Sequence, residues 1–216
     1  MGDSGEHVLY GYQGSGSAAI EAALTLAELP FRVVNAASWD AASELGALRQ
    51  VNPLLQIPAL RWPDGSTMTE SAAILIELGL RHPHSGLLPQ SPAARAHAIR
   101  GLVYIAANCY AAIGVIDYPE RWTSGTTDTE REHVRQGTRA RLHALWDRFA
   151  GTFPAQPFLS GEQPGALDLL AAVVSRWSGA RKHLGTSRPQ WFPVLERIDH
   201  LPAVAPVMAR HWPAAA

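Results

Sequence analysis

Apolar and polar positions divide this chain into a first part of mixed periodicity and a remainder that is helical throughout. Residues 7–12 (HVLYGY) form a short, nearly unbroken apolar run, the pattern of a strand buried on both faces. Gln-Gly-Ser-Gly-Ser at 13–17 leads into a helix predicted to run to about residue 29, with Ile20, Ala23, Leu24 and Ala27 on one stripe. Pro30 stops it, because the residue before a proline avoids the α region. Residues 31–35 read as a second strand, so this part predicts a β-α-β unit with parallel strands and a right-handed crossover. A short helix is predicted over 41–51. Pro58 opens the next apolar run, 58–62; without an N–H it suits the first residue of a strand. Pro63-Asp64-Gly65 is turn chemistry, so residues 66–69 return antiparallel and a helix begins at Glu70-Ser71.

The order β-α-β-α-β-β-α is that of a thioredoxin-like α/β domain, placed over residues 1–84. Residues 82–92 (HPHSGLLPQSP) hold three prolines and no periodicity, and the linker is set at 85–92. An all-α domain is expected over 93–216. Its first helix, 93–116, would be about 36 Å long, with Ile99, Leu102, Val103, Ala106, Tyr110 and Ile113 among its apolar positions. Thr127 and Glu130 have the spacing of a capping box for a helix striped by Val134, Leu142, Leu145, Trp146 and Phe149. Shorter helices are predicted at 167–180, 192–200 and 203–210.

Composition then limits the function. A hydrophobic share of 47% and a charged share of 17%, below the usual ~25%, describe a folded protein with an ample core. With 18 basic and 19 acidic residues, a net charge of −1 and no Lys/Arg cluster, nucleic acid and membrane surfaces are not expected partners. The single cysteine, Cys109, excludes a disulfide framework within the chain and fits a reducing compartment. The start, MGDSGEHV, lacks the parts of a secretion signal, and Glu6 stands where myristoylation of Gly2 requires Ser or Thr. No apolar run approaches the ~18 residues of a membrane span, so the expected localisation is cytoplasmic. The nine histidines show no metal-binding spacing, and no metal is expected.

Two stretches carry candidate chemistry. A helix beginning at Glu70-Ser71 offers unpaired N–H groups and a hydroxyl; this suits a carboxylate ligand and equally an ordinary helix cap. Gly14, Gly16 and Ala19 fit the dinucleotide pattern G-x-G-x-x-A. That pattern needs an acidic residue at the end of the second strand, where Asn35 stands, and a doubly wound sheet, which the antiparallel hairpin contradicts.

Asn52-Pro53, Gln56-Ile57-Pro58, Asp64-Gly65 and Thr69-Glu70-Ser71-Ala72-Ala73-Ile74, in that order, resemble the glutathione-binding half of the glutathione S-transferase superfamily, in its bacterial beta- and theta-like members. The resemblance implies a cis bond before Pro58 and backbone pairing of Ile57, beside Gln56, with the cysteinyl unit of glutathione. It also implies that Glu70 and Ser71 hold the γ-glutamyl ammonium and carboxylate. Further on, residues 158–162 followed by Ala166-Leu167-Asp168 resemble the family's buried capping segment, with Gly165 where Ser or Thr is usual. Residues 201–206 resemble the approach to its last helix.

In the same family the loop after the first strand activates the thiol. Gly16 stands where the beta class carries Cys, which removes a glutaredoxin-like disulfide mechanism. The remaining candidates are Ser15 and Ser17, through a hydroxyl donated to the sulfur. Lowering a thiol pKa by about two units takes about 2.7 kcal/mol, and one hydrogen bond to a charged group supplies ~1.5–3 kcal/mol. Ser15, between two glycines, is preferred over Ser17, the better placed cap, with Tyr12 next in line. Tyr12, Tyr104, Asn108 and Tyr110 are expected to wall the electrophile pocket. The implied protein is a homodimeric, detoxifying transferase that uses glutathione as co-substrate against a small apolar electrophile. A glutathione-dependent isomerase or peroxidase on the same site, and a non-catalytic interaction protein of the same fold, are its rivals.

Overall fold

A computed structural model describes residues 5–213; Gly2 and the rest of the chain start up to residue 4 lie outside the described residues. The first part contains β1 (His7–Gly11), α1 (Ser17–Leu26), β2 (Phe31–Asn35), α2 (Leu45–Val51), β3 (Ala59–Arg61), β4 (Thr67–Thr69) and α3 (Ser71–Arg81), in the expected order. The sheet order is β2-β1-β3-β4, with β1 parallel to β2 and antiparallel to β3, and Ala59 opposite Thr69 in the hairpin. All five residues of β1 are buried, as an unbroken apolar run requires.

Two boundaries differ from the sequence reading. The first helix ends at Leu26, not near 29. Leu29 N–H closes on the Leu24 carbonyl and Glu28 N–H on Thr25, while Glu28 takes φ 55. This is a Schellman ending with a left-handed residue. The second helix begins at Leu45 rather than 41, because the Ser43 hydroxyl folds the preceding loop by bonding Ala37 N–H at 3.0 Å and Ala37 O at 2.7 Å.

Beyond the linker, α4 (Pro92–Tyr104), a π-helical stretch (Ile105–Tyr110) and α5 (Ala111–Asp117) run end to end as one 26-residue rod. The expected uninterrupted α-helix is thus broken by a π turn. The rod is also long and apolar enough, by length and composition alone, to cross a membrane. This corrects the reading that no run approaches that length. Its residues Leu102, Ile105, Cys109 and Ile113 belong to the protein core, while Val103, expected on the apolar stripe, is exposed.

The helices α6 (Asp128–Thr152), α7 (Ala166–Val174), α8 (Ala180–Ser187), α9 (Pro193–Asp199) and α10 (Ala205–His211) complete the fold. The capping box before α6 is present: Glu130 N–H donates to Thr127 Oγ1, and Thr127 N–H donates to Glu130 Oε2. The helix predicted over 167–180 stops at Val174, and α8 is a separate helix. Arg181 donates to the Ala172 carbonyl at 2.7 Å, and Ser178 and Gly179 turn the chain with positive φ.

One core joins Leu9, Ile20, Leu24 and Leu78 of the first part to Leu102, Trp146, Phe149 and Leu170 of the second. At its centre the fully buried Asp168 carboxylate accepts from the N–H groups of Leu159 (2.7 Å), Ser160 (3.0 Å) and Gly165 (3.0 Å). A Cβ at position 165 would meet Ser160 Oγ at 2.7 Å and the Leu87 carbonyl at 2.8 Å, which explains glycine where Ser or Thr is usual. Asp168→Ala leaves three amides without an acceptor, so a loss of about 3 kcal/mol or more is expected from the urea unfolding midpoint. A loss below about 1 kcal/mol would show that these bonds carry no weight.

Candidate functional site

The β1–α1 loop, the 52–58 loop, the start of α3 and the rod enclose a cavity of about 790 Å³, within the ~300–1,000 Å³ of small-molecule sites. Each wall follows from local sequence. The buried Asn52 side chain donates to the Gln56 carbonyl at 2.8 Å and accepts from Leu54 N–H at 3.1 Å, which folds the 52–57 loop. The Ile57-Pro58 bond is cis, and β3 begins only at Ala59. Ile57 N–H and C=O have no hydrogen bond among the described residues, leaving an open backbone edge on the cavity.

At the same end of the β3–β4 hairpin, Glu70 lies at φ 67, a region that non-glycine residues rarely adopt and that concentrates at functional positions. It turns the chain into α3, whose first residue, Ser71, is buried on the cavity wall. The first amides of that helix have no intrahelical acceptor. A carboxylate, a hydroxyl and free N–H groups therefore stand together at one end of the cavity.

The loop after β1 forms the floor. Ser15 Oγ donates to the Tyr12 carbonyl at 2.7 Å, lies 2.8 Å from Ser17 Oγ and accepts from Ser17 N–H at 3.2 Å. Ser17 Oγ accepts from Tyr12 N–H at 3.2 Å and lies within donating distance, 3.3 Å, of the Tyr12 carbonyl. Ser15 lines the cavity; Ser17 is buried behind it. The loop is also held from outside. Gly14 N–H donates to His211 Nδ1 at 3.1 Å, which assigns the proton to Nε2, and Nε2 donates to Glu21 Oε2 at 2.8 Å. Arg210 bonds the other oxygen of Glu21. Burial of Glu21 pushes its pKa up, but the bonds from His211 and Arg210 outweigh this and hold the carboxyl below its ordinary value.

The roof comes from the helical half. Tyr110, the last residue of the π turn, stacks on Trp177 at 5.5 Å and 26°, and burial pushes its phenol up to about 12. A Cβ on Gly16 would fall on the Tyr110 hydroxyl and 3.0 Å from its Cζ, so position 16 has room only for glycine. Of the four residues expected to wall the electrophile pocket, Tyr110 lines this cavity, and three do not. Tyr104 donates to the Leu145 carbonyl of α6 at 3.0 Å, and Asn108 to the Tyr104 carbonyl of its own rod at 3.1 Å. Tyr12 packs edge-on against the lining residue Trp39 without itself lining the cavity, and the Asp40 charge raises its phenol. Residues the sequence did not single out, among them Trp39, Tyr118, Arg121 and Trp177, also line it. Trp177 was hidden in a stretch that reads as continuous helix. Cys109 lies inside the core, where burial pushes its thiol up to about 12 and leaves it no nucleophile. Among the described residues, no group of three or more His, Cys, Asp or Glu could hold a metal.

The family model described as the N-terminal domain of glutathione S-transferase matches residues 17–80. An uncharacterised GST-like protein of Escherichia coli, YncG, is 30% identical over 206 residues, covering 94% of this chain and 97% of that protein. A probable maleylacetoacetate isomerase of Caenorhabditis elegans is 37% identical over 94 residues, 42% of each chain. Among solved structures, a glutathione transferase homologue from Sulfitobacter with bound glutathione superposes with a TM-score of 0.79 at 22% identity, over 94% of this chain and 96% of that one.

The clamp on the loop has a pH signature. A carboxylate whose folded pKa is depressed contributes stability that is present above its unfolded value of ~4.3 and lost as pH falls through the folded value. Glu21→Gln is therefore expected to lower the melting temperature more at pH 7 than at acid pH, where the wild type has already lost this contribution. An equal drop at both would show that the Glu21 charge is not what holds His211.

Proposed function

The chain belongs to the glutathione S-transferase family, and on that premise we propose that it binds glutathione and directs the thiolate at a small apolar electrophile. The observation that carries this is the unpaired Ile57 backbone lining one cavity with Glu70 and Ser71. A short peptide can pair with the open Ile57 backbone in the segment just before β3, in the manner of strand addition. The γ-glutamyl carboxylate then takes the Ser71 hydroxyl and the first amides of α3, at the positive end of the helix dipole. Its ammonium meets the Glu70 carboxylate, and Gln56 flanks the cysteinyl unit. The thiol proton leaves to water. The sulfur pair forms the new C–S bond, and a leaving group departs with its own pair or the attacked double bond takes up a proton. Trp39, Ile113, Tyr118 and Trp177 give the second substrate an apolar wall.

The likeness to probable isomerases over 94 residues supports a second reading, in which the thiolate adds to a substrate and leaves again. Conjugation consumes glutathione and isomerisation does not, so assaying free thiol during turnover separates them. We further propose a homodimer in a reducing cytoplasm. Leu80 and Val103, exposed on α3 and α4, offer apolar surface for a second subunit, and the buried lone Cys109 needs no oxidising compartment.

Calorimetric titration tests the binding. Glutathione is expected to bind between micromolar and millimolar, and Ser71→Ala to weaken it by about 1.5–3 kcal/mol, the size of a hydrogen bond to a charged group. Absence of binding at millimolar glutathione overturns the reading. A change of only a few tenths of a kcal/mol would leave Ser71 as a helix cap.

A further inference from the structure

Three hydroxyls lie on or against the loop after β1, those of Ser15, Ser17 and Tyr110, and they differ in what their hydrogens do. Ser15 and Ser17 bond each other, and both reach the Tyr12 carbonyl, so each hydrogen has an acceptor inside the loop. The Tyr110 hydroxyl donates to no described residue, and the amide it faces, Gly16 N–H, is itself a donor. A phenol oxygen that receives an N–H keeps its own hydrogen for another acceptor.

We propose that Tyr110, a residue of the helical half, donates the hydrogen bond that holds the glutathione sulfur as thiolate, while Ser15 and Ser17 brace the loop. The inference rests on the glutathione site proposed above. The hydroxyl stands on the spot that the first side-chain atom of residue 16 would take, at the amide end of α1, and so replaces a side chain that Gly16 lacks. A peptide paired with Ile57 and anchored at Ser71 has the Gly14–Gly16 loop and Tyr110 on the same cavity, where Asp117, Tyr118 and Arg121 are further polar lining residues.

The ring is fixed in this pose by its stack on Trp177 and by its place at the end of the π turn, a device that re-aims a helical residue. The phenol stays protonated throughout, since burial pushes it up to about 12. The thiol proton therefore leaves to water rather than to Tyr110, and the tyrosine contributes a donor and no charge.

Tyr110→Phe keeps the ring and its stack and removes only the hydroxyl. Binding of S-methylglutathione, which has no thiol to ionise, is expected to be unchanged. The pKa of bound glutathione, read from ultraviolet thiolate absorbance, is expected to rise by about one unit, a roughly tenfold loss of thiolate at pH values below both pKa values. Ser15→Ala and Ser17→Ala are expected to lower the melting temperature and leave that titration within a few tenths of a unit. An unmoved titration in Tyr110→Phe, or a full-unit rise in Ser15→Ala, overturns the assignment while the glutathione site stands. Failure of the wild type to bind S-methylglutathione overturns the site and the assignment together.

Discussion

The fold depends on enclosing α7. All nine of its residues are buried, and it packs against α1 and α3 of the α/β part and against α4 and α9 of the helical part. A helix apolar on every side has no face for water, so it must be wrapped by neighbours. Here neither half can supply them alone. Burial of each large apolar side chain is worth about 1.5–3 kcal/mol, and Leu167, Leu169 and Leu170 sit with Val173 and Val174 in this one element. Asp168 is admitted to it only because three amides satisfy its carboxylate, the condition for burying a charged group. The shared core sets the two halves at a fixed distance, and the cavity is the gap left where that core ends.

What the sequence made legible is what local chemistry encodes. The β-α-β unit, the Pro-Asp-Gly hairpin and the Thr127–Glu130 capping box are each written within a few residues, and each is found in place. Residues 56–58 and 70–71, separated by a hairpin whose register pairs Ala59 with Thr69, necessarily meet at one end of the sheet. They line one cavity with Ser15 for that reason.

The remainder was hidden because its causes lie far along the chain. The stop after Val174 rests on Arg181 reaching back to the Ala172 carbonyl, which periodicity does not register. Only that stop brings Trp177 beneath Tyr110. The π turn is likewise invisible in apolar spacing, since Ile105 to Tyr110 is as apolar as ordinary helix. Tyr104 and Asn108, expected at the pocket from an unbroken helix, instead bond Leu145 of α6 and the Tyr104 carbonyl. The seryl hydroxyls show the same limit. Their proximity to the cavity is readable from the loop, but their engagement with each other and with Tyr12 depends on the folded turn.

The bond from Gly14 N–H to His211 Nδ1 spans 197 residues of chain. During synthesis the α/β part leaves the ribosome long before α10 exists, and domains generally form in that order. The floor of the cavity therefore waits, with an amide unmatched and Glu21 without its cation, for nearly the whole polypeptide to emerge. The last helix to be made is the one that finishes the first loop.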